Sequence, residues 1–178
     1  MPGKAAWYTL DELRNLGITL TGDAVEVDIA RGVRLDCGRG RGPMIQIADH
    51  VSITKGCQLL THDGAGAKFD GVGTIGRVII EDHVFIGINS ILLPGTCVRR
   101  GSILAAGSVL YPGTIVPEGE IWGGAPARKL GTVAVFLEKR KEMESTGRQG
   151  RGNIPPGQVR LTGTPNLHEH YKETLKNG

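Results

Sequence analysis

The sequence is poor in aromatic residues and in cysteine, and it has no long hydrophobic run. Aromatic residues make up 4% of the 178 residues, and the three cysteines are odd in number and lack the spacing of a metal site. A disulfide framework is therefore not expected. No apolar stretch reaches the roughly 20 residues that a membrane-spanning helix requires.

Positively and negatively charged residues are nearly equal in number. Lysine and arginine number 21 and aspartate and glutamate 18, so the net charge is +3, without the basic stripe that is typical of a nucleic-acid-binding protein. We recognise no signal peptide and expect a protein of the reducing cytoplasm. The length suits one domain that buries a core of its own.

The abundant features are glycine, at 28 residues, and a six-residue period between Ile80 and Ala127. The residues that recur at strict six-residue spacing are Ile80, Ile86, Leu92, Val98, Leu104, Leu110, Val116 and Trp122. Three places after each of the first seven stands a residue that tolerates positive φ, usually glycine but also His83 and Asn89, and Ala125 follows the last. Six is the period of neither a helix nor a plain strand, and it predicts a parallel β-helix.

Three hexads would form one triangular coil, so side chains eighteen residues apart are expected to stack. The predicted columns are Ile80 with Val98 and Val116, Ile86 with Leu104 and Trp122, and Leu92 with Leu110. Neighbouring coils supply the core, because no coil buries its own faces. A small residue fills each corner, and Cys57 at such a position is expected to be a core residue.

A looser series of hexads precedes the strict one and runs out of phase with it. Its members are Ile29, Leu35, Arg41, Ile47, Ile53 and Leu59. Only Arg41 breaks the pattern, and its hexad is expected to bulge out as a loop. The later series runs through Thr74, which predicts three extra residues after Leu59 and a glycine-rich excursion loop at residues 63–73.

Four short motifs resemble those of the left-handed β-helix acetyltransferases. They are Val84-Phe-Ile-Gly87, Leu92-Leu-Pro-Gly95, Ala105-Ala-Gly-Ser-Val109 and Gly123-Gly-Ala-Pro-Ala-Arg128. Over roughly residues 8–130 the sequence is most similar to the sugar and polysaccharide O-acetyltransferases of that superfamily. The resemblance implies an all-β solenoid, a left-handed parallel β-helix, that forms a homotrimer with active sites between subunits.

The ends of the chain are expected to be helical. Tyr8–Gly17 reads as a short helix in which Thr9 and Glu12 form a capping box and Gly17 ends the helix. A second helix is expected at Gly131–Glu144. The predicted parts are an N-terminal helical cap at residues 1–22, the hexapeptide-repeat β-helix at 23–130, and a C-terminal helix and tail at 131–178.

His62 is the candidate general base. His50, His62 and His83 share one position of the hexad, and for His50 and His83 a role as turn residues with positive φ suffices. His62 is the last such residue before the excursion loop, and in the family that the sequence resembles the catalytic histidine lies at a break of this kind. Asp63 is either the carboxylate that orients the imidazole or a solvated turn residue.

The resemblance also implies how acetyl-CoA, the acyl donor, is bound, without a metal. The backbone of Ile88, next to Gly87, would stabilise the oxyanion. The small residues Ala105, Ala106 and Gly107 would line the pantetheine arm. Arg128 and Lys129 would meet the phosphates of CoA, or else are ordinary surface charges.

The predicted reaction is transfer of an acetyl group to a hydroxyl of a sugar or saccharide intermediate. An N-acyltransferase for an amino sugar remains open, because the same base serves an amine. Two other classes are a zinc-dependent γ-type carbonic anhydrase, for which the three histidines are too dispersed, and a scaffold without activity. Four arginines would bind a phosphate or an acidic sugar, or else line a solvated coil edge: Arg31, Arg34, Arg39 and Arg41.

An oligomer is predicted from the residue that precedes each inward one. These positions should point outward, yet they are apolar: Phe85, Ile91, Ile103, Val109, Ile115 and Ile121. Contiguous exposed apolar surface of this kind usually marks an interface.

Overall fold

The computed structural model describes residues 7–36 and 43–145, with side-chain surroundings given up to residue 142. The chain divides into two compact units, residues 1–136 and 137–178. The helices are α1 Leu10–Asn15 and α2 Val133–Ser145, and a 3₁₀ helix spans Gly66–Lys68. The strands in chain order are β1 Ile18–Leu20, β2 Asp28–Ile29, β3 Arg34–Asp36, β4 Ile45–Ile47, β5 Ser52–Ile53, β6 Gln58–Leu60, β7 His62–Asp63, β8 Thr74–Ile75, β9 Val78–Ile80, β10 Phe85–Ile86, β11 Ile91–Leu92, β12 Cys97–Val98, β13 Ile103–Leu104, β14 Val109–Leu110, β15 Ile115–Val116, β16 Glu120–Gly124 and β17 Ala127–Thr132.

Three sheets of parallel strands form the three faces of a solenoid. The first face runs β1-β4-β9-β12-β15, the second β2-β5-β10-β13-β16, and the third β3-β6-β11-β14. The chain passes from face to face in that order and returns one coil further on. This arrangement confirms the predicted all-β solenoid, and each strand is short because a turn follows within a few residues.

The predicted columns of the strict repeat are confirmed. Ile80, Val98 and Val116 pair in register on the first face, and Ile86, Leu104 and Trp122 on the second. Leu104 is fully buried, as are the other aliphatic members of the series to within 1% exposure. Most of the buried hydrophobic residues form one continuous core, against which Trp122 packs from a partly exposed position. Burial of these columns is the main favourable contribution to folding.

The corners of the coils use the residues that the repeat predicted. His50, His83 and Asn89 have φ of 55°, 59° and 59°, where most repeats have glycine. Buried hydroxyls complete the turns by donating to carbonyl oxygens that no strand satisfies. Ser90 Oγ, for example, donates to the Gly87 carbonyl at 2.7 Å. Cys57 is fully buried, as predicted.

The predicted N-terminal helix is confirmed with its capping box, although it spans only Leu10–Asn15 of the predicted Tyr8–Gly17. The Glu12 backbone N–H donates to Thr9 Oγ1 and the Thr9 N–H donates to Glu12 Oε2 at 2.8 Å, which completes the capping box. The hydrogen bond from Arg31, followed by that from the Thr9 backbone, lowers the pKa of Glu12 to about 2. Leu13 is fully buried and joins the core. The helix is thus attached to the solenoid by apolar contacts of Leu10 and Leu13 and by the ion pair of Glu12 with Arg31.

The excursion is larger than predicted. Ile45 on β4 pairs with Val78 on β9, nearly two coil lengths further along the chain, whereas Ile80 pairs with Val98 one coil length on. The insertion therefore exceeds the predicted three residues by two whole hexads. A hexad phase shift gives an insertion only to within multiples of six, which is why the shorter length was inferred. Thr74 is not part of a coil: β7 and β8 form an antiparallel hairpin outside the three faces.

Two further differences concern the first coil and the last. Asp28 pairs with Ser52, so the coil between them is one hexad longer than those of the strict repeat. The Arg41 hexad, with Cys37 and Arg39, lies outside the described residues. Near the end, β17 pairs antiparallel with β16, a hairpin that the repeat did not predict. The final helix accordingly begins at Val133 and not at Gly131.

Candidate active site

His62 lies where the hairpin of β7 and β8 leaves the third face. It pairs with Ile75 across the hairpin, and its side chain is 52% exposed. It is not among the residues with positive φ, unlike His50 and His83. His62 therefore does not adopt the turn conformation that His50 and His83 adopt at the same hexad position, because the coil is broken directly before it.

The imidazole of His62 contacts a carboxylate that the sequence did not single out. Nδ1 lies 2.6 Å from Oδ2 of Asp36, whose side chain is only 17% exposed. This is ion-pair distance; Oδ2 has no hydrogen bond of ordinary geometry among the described residues. A carboxylate at Nδ1 favours the tautomer with the proton on that nitrogen, and leaves Nε2 as the basic atom.

The strand register brings Asp36 to His62. On the third face Asp36 pairs with Leu60, two residues before His62. The hydroxyl of Thr61 donates to the carbonyl oxygen of Asp36 at 2.6 Å and ties the two strands together at this end. The signal in the sequence was the earlier hexad series, in which Leu35 and Leu59 are both inward. With three hexads to a coil, Leu35 and Leu59 would not be expected to pair. They do pair, because this coil contains four hexads.

Asp63 has the turn role and not the orienting one. Its Oδ1 accepts a hydrogen bond from the backbone N–H of Ala65 at 2.9 Å, two residues on, which starts the loop of the hairpin. Asp70 closes the loop in the same way through the N–H of Val72 at 2.9 Å. The structure therefore places Asp36 at the imidazole and gives Asp63 the second of its two predicted roles, that of a turn residue.

Gly87 and Ile88 lie at another corner, between the second and third faces, which we call the Gly87 corner (residues 87–90, 105–108 and 123–125). A Cβ on Gly87 would lie 2.8 Å from the carbonyl carbon of Ala105, so only glycine fits there. Ile88 is exposed, and its backbone N–H donates no hydrogen bond within the described part of the chain. An N–H of this kind is available to a ligand.

Small residues continue this corner toward the C-terminal end. Ala105 is half-buried and Ala106 and Gly107 are exposed. A Cβ on Gly107 would meet nothing within 4 Å, so open space lies beside this turn. Gly123 stacks above Ala105, and its Cβ would lie 3.1 Å from that of Ala105. The corner is therefore a strip of mainly small residues that lies open at Gly107, and the exposed side chain of Leu130 packs beside Gly123 at its C-terminal end.

The two cations that follow the last coil have different surroundings. Arg128 pairs with Gly123 across the final hairpin and is exposed at the end of the strip. Lys129 pairs with Trp122 and forms an ion pair with Glu120. The hydrogen bond from Lys129 holds the pKa of Glu120 below its ordinary value. Arg128 is thus the cation better placed for an anionic ligand.

Within one chain the predicted residues fall into two groups that do not meet. Ile88 lies in the turn that leads into the third face, and His62 follows the strand by which the chain leaves it. β11 stacks directly on β6 in that face, so the two turns lie at its opposite edges. The described residues contain no group of three metal-binding side chains. None of the helices described has the length and hydrophobicity needed to cross a bilayer.

Comparisons with known proteins agree with this architecture. The model for the hexapeptide repeat of succinyl-transferase matches residues 77–112. Protein CapG of Staphylococcus aureus is 35% identical over 134 residues, which cover 72% of this chain and 74% of CapG. A tetrahydropyridine-dicarboxylate N-acetyltransferase of the same organism is 34% identical over 85 residues, 46% of this chain. This chain spans only 35% of that enzyme's length.

A solved structure gives the same result. The hexapeptide-repeat acetyltransferase VCA0836 from Vibrio cholerae superposes with a TM-score of 0.51 at 31% identity, over 61% of this chain and 60% of that one. Its complex with acetyl coenzyme A superposes with a TM-score of 0.50 at 25% identity, over 70% and 79% of the two chains. The chain belongs to the hexapeptide-repeat acetyltransferase family, whose solenoid is the left-handed parallel β-helix.

Proposed function

We propose that the protein transfers an acetyl group from acetyl-CoA to a hydroxyl of a sugar or saccharide intermediate, with His62 as general base. The observation that carries the proposal is the imidazole of His62, half-exposed at the break in the solenoid with Asp36 at its Nδ1. An alcohol is a weak nucleophile at neutral pH and reacts with a thioester only if a base takes its proton. Because acetyl-CoA is a cytoplasmic metabolite, we propose that compartment for the reaction.

The proposed step uses few groups and needs no metal. Nε2 of His62 takes the proton of the acceptor hydroxyl while its oxygen attacks the thioester carbonyl. The N–H of Ile88 donates to the oxyanion that forms, which a rigid backbone does without reorganisation. When the carbon–sulfur bond breaks, the imidazolium returns the proton to the thiolate of CoA. The products are the acetyl ester and free CoA.

The donor is expected along the strip of the Gly87 corner. Ala106 and Gly107 allow the pantetheine arm to approach the backbone closely, and Arg128 at the end of the strip would bind the phosphates. Lys129 contributes less, because Glu120 already neutralises it. The acetyl coenzyme A in the complex of VCA0836 supports this class of donor.

A second copy of the chain is needed to complete this site. His62 and Ile88 lie at opposite edges of the third face, yet the reaction requires both at one carbonyl carbon. The outward apolar residues provide a surface for assembly, and Phe85 and Ile115 are 44% and 50% exposed in the single chain. We therefore propose a homotrimer in which His62 of one copy faces the Gly87 corner of the next.

Mixing two inactive variants tests the shared site. His62→Ala removes the base, and Ala106→Trp blocks the pantetheine strip on an exposed turn. Refolding the two together at equal concentration should restore about one quarter of the wild-type activity, the fraction of interfaces with both intact parts. Mixtures as inactive as their components would show that each site lies within one copy.

The chemistry is tested by release of free CoA from acetyl-CoA in the presence of nucleotide sugars and oligosaccharides. We expect release that depends on the acceptor and gives a product with an acetyl ester. Tight binding of acetyl-CoA without turnover of any acceptor would favour a binding role, and no binding of acetyl-CoA would contradict the proposal.

N-acetylation is the second candidate, because a relative is an N-acetyltransferase with 34% identity over 85 residues. The same imidazole would take a proton from an amine during attack. Hydroxylamine cleaves acetyl esters and leaves amides, so treating the product distinguishes the two reactions.

A further inference from the structure

The corner between the second and third faces continues from the Gly87 corner into the earlier coils, and one column of residues runs along it from the coil of β2 to that of β16. Two residues after the inward residue of β2, β5, β10, β13 and β16 stand, in that order, Arg31, Lys55, Ile88, Ala106 and Gly124. Backbone hydrogen bonds confirm the alignment: the Asn89 N–H donates to the Lys55 carbonyl at 3.1 Å. The column therefore has small residues on the C-terminal side of Ile88 and two cations on its N-terminal side.

Arg31, the first cation, is already paired. Its Nη2 lies 2.6 and 2.7 Å from the two carboxylate oxygens of Glu12, and its guanidinium carbon lies 4.5 Å from the centre of the Tyr8 ring. The guanidinium thus attaches the N-terminal helix to the solenoid. Because Glu12 compensates its charge, Arg31 is poorly suited to bind an anionic ligand.

Lys55, the second cation, has no such partner. Its side chain is exposed, and none of the described carboxylates lies within ion-pair distance of it. Gly32 in the preceding coil leaves space for it, and a Cβ there would lie 3.7 Å from Lys55 Cγ and 3.9 Å from its Cε. The lysine therefore extends along the corner toward the N-terminal end, away from Ile88.

The direction of the donor decides what this lysine can reach. If the acetyl carbonyl lies at the N–H of Ile88, the pantetheine arm runs over Ala106 toward Arg128, in the C-terminal direction. The acceptor must then occupy the N-terminal side of the carbonyl. Adjacent coils are about 4.8 Å apart, so the ammonium of Lys55 lies one to two coils, or roughly 5–10 Å, from the reacting carbon.

We propose that Lys55 binds an anionic group of the acceptor, a carboxylate or a phosphoryl group carried about one sugar ring away from the hydroxyl that is acetylated. This inference rests on the proposed function and names the substrate class within it. A lysine ammonium is a compact cation that binds either anion without requiring the planar geometry of arginine. Acidic sugars and sugar phosphates carry the required group at that spacing.

The test compares Lys55→Gln with Arg99→Gln, which removes the same charge from an exposed residue at the corner between the first and second faces. Dissociation constants are measured by NMR titration for the full chain saturated with CoA. The probes are glucose and galactose, their uronic acids and their 1-phosphates. Acetyl-CoA affinity is measured separately for each variant.

We expect at least one acidic probe to bind the wild type more tightly than its neutral sugar. Lys55→Gln should weaken that probe about 3- to 30-fold, as is usual for loss of a partly exposed charged contact, and leave neutral sugars unchanged. Arg99→Gln should bind all probes as the wild type does. The dissociation constants of the uronic acids and of the 1-phosphates show whether the site binds a carboxylate or a phosphoryl group.

The inference is overturned if no acidic probe binds better than its neutral sugar, or if Lys55→Gln keeps the preference. It is also overturned if Lys55→Gln weakens acetyl-CoA instead, because the lysine would then serve the donor. With acetyl-CoA binding intact, these results leave the proposed function standing. A wild type that does not bind acetyl-CoA would overturn both.

Discussion

The C-terminal coils and the N-terminal coils of the solenoid differ in their regularity. From β9 onward every coil on the three faces has the same length of three hexads, and the inward aliphatic residues are essentially completely buried. Before β9 the paired strands are further apart along the chain, and their spacing is not the same in every coil. The regular coils supply an edge of small residues, whereas His62, the proposed base, and Asp36 both lie at interruptions.

Two histidines show what an interruption does. His83 keeps the turn conformation of the repeat, and its ring stacks against that of His50 with centroids 4.4 Å apart. His62 occupies the same hexad position, but the hairpin after Thr61 draws it into an extended strand and exposes half of its side chain. One residue type is thus structural in an unbroken coil and available for chemistry at a break.

The largest effect is expected from a charge in the regular coils. Leu104 is completely buried between Ile86 and Trp122, so Leu104→Asp should abolish cooperative folding, because an unpaired carboxylate would lose its hydration. Val72→Asp in the hairpin, where the side chain is 67% exposed, should leave the unfolding midpoint nearly unchanged. Circular dichroism during thermal unfolding compares them, and a stably folded Leu104→Asp would contradict the solenoid core.

The next effect concerns the close approach of two coils. In Gly87→Ala the new methyl group would meet the Ala105–Ala106 peptide, so we expect a loss of about 1–3 kcal/mol in unfolding free energy and weaker acetyl-CoA binding. Gly64→Ala is the control in the hairpin, where a Cβ meets nothing within 4 Å. Urea unfolding and isothermal titration measure both quantities. Equal stability of the two variants would show that the corner adapts.

A smaller effect on turnover separates the two carboxylates near His62. Asp36→Asn should lower turnover by roughly 10- to 100-fold, less than loss of the base itself, because the imidazole keeps its position but loses the partner that fixes its tautomer. Asp63→Asn should retain turnover, since an amide oxygen also accepts the bond from Ala65. Steady-state kinetics at saturating acetyl-CoA give the comparison. A larger loss of turnover in Asp63→Asn than in Asp36→Asn would show that Asp63 is the group that orients the imidazole.

The smallest effect is on stability at low pH. The pKa of Glu12 is lowered from its ordinary 4.5 to about 2 by Arg31 and Thr9. A carboxylate with a depressed pKa stabilises the fold above its unfolded pKa and loses this contribution as the pH falls through the folded value. The wild-type melting temperature should therefore fall between pH 4.5 and about 2 more steeply than that of Glu12→Gln. Asp11→Asn, on the same helix, should follow the wild type.

The regular half of the fold was predictable because every determinant in it is local. The spacing of residues such as Leu92 and Leu110 specifies strand, turn and stacking partner together, since each coil repeats the preceding one. The capping box of Thr9 and Glu12 is likewise contained within one helical turn. Such signals need no knowledge of what lies elsewhere in the chain.

The irregular half was predicted only in part, because its contacts depend on the lengths of insertions. His62 was predicted as the base from the family resemblance and from its position before a glycine-rich loop, whereas the contact with Asp36 depends on a coil that is one hexad longer than the regular ones. The predicted length of the insertion before β9 was too short, because a shift in the phase of the repeat does not reveal how many whole hexads were inserted. The final hairpin was missed for another reason: Ala127–Thr132 has no alternation that distinguishes a strand from the start of a helix.

The most direct test of His62 as the base compares turnover in His62→Ala and His83→Asn. His62→Ala should lower turnover by roughly 10²–10⁴-fold, the usual contribution of a positioned acid–base group, with unchanged folding and acetyl-CoA affinity. His83→Asn should retain turnover, because asparagine adopts the positive φ of that turn, as Asn89 does. Full activity of His62→Ala, or an equal loss in His83→Asn, would contradict the assignment of the base.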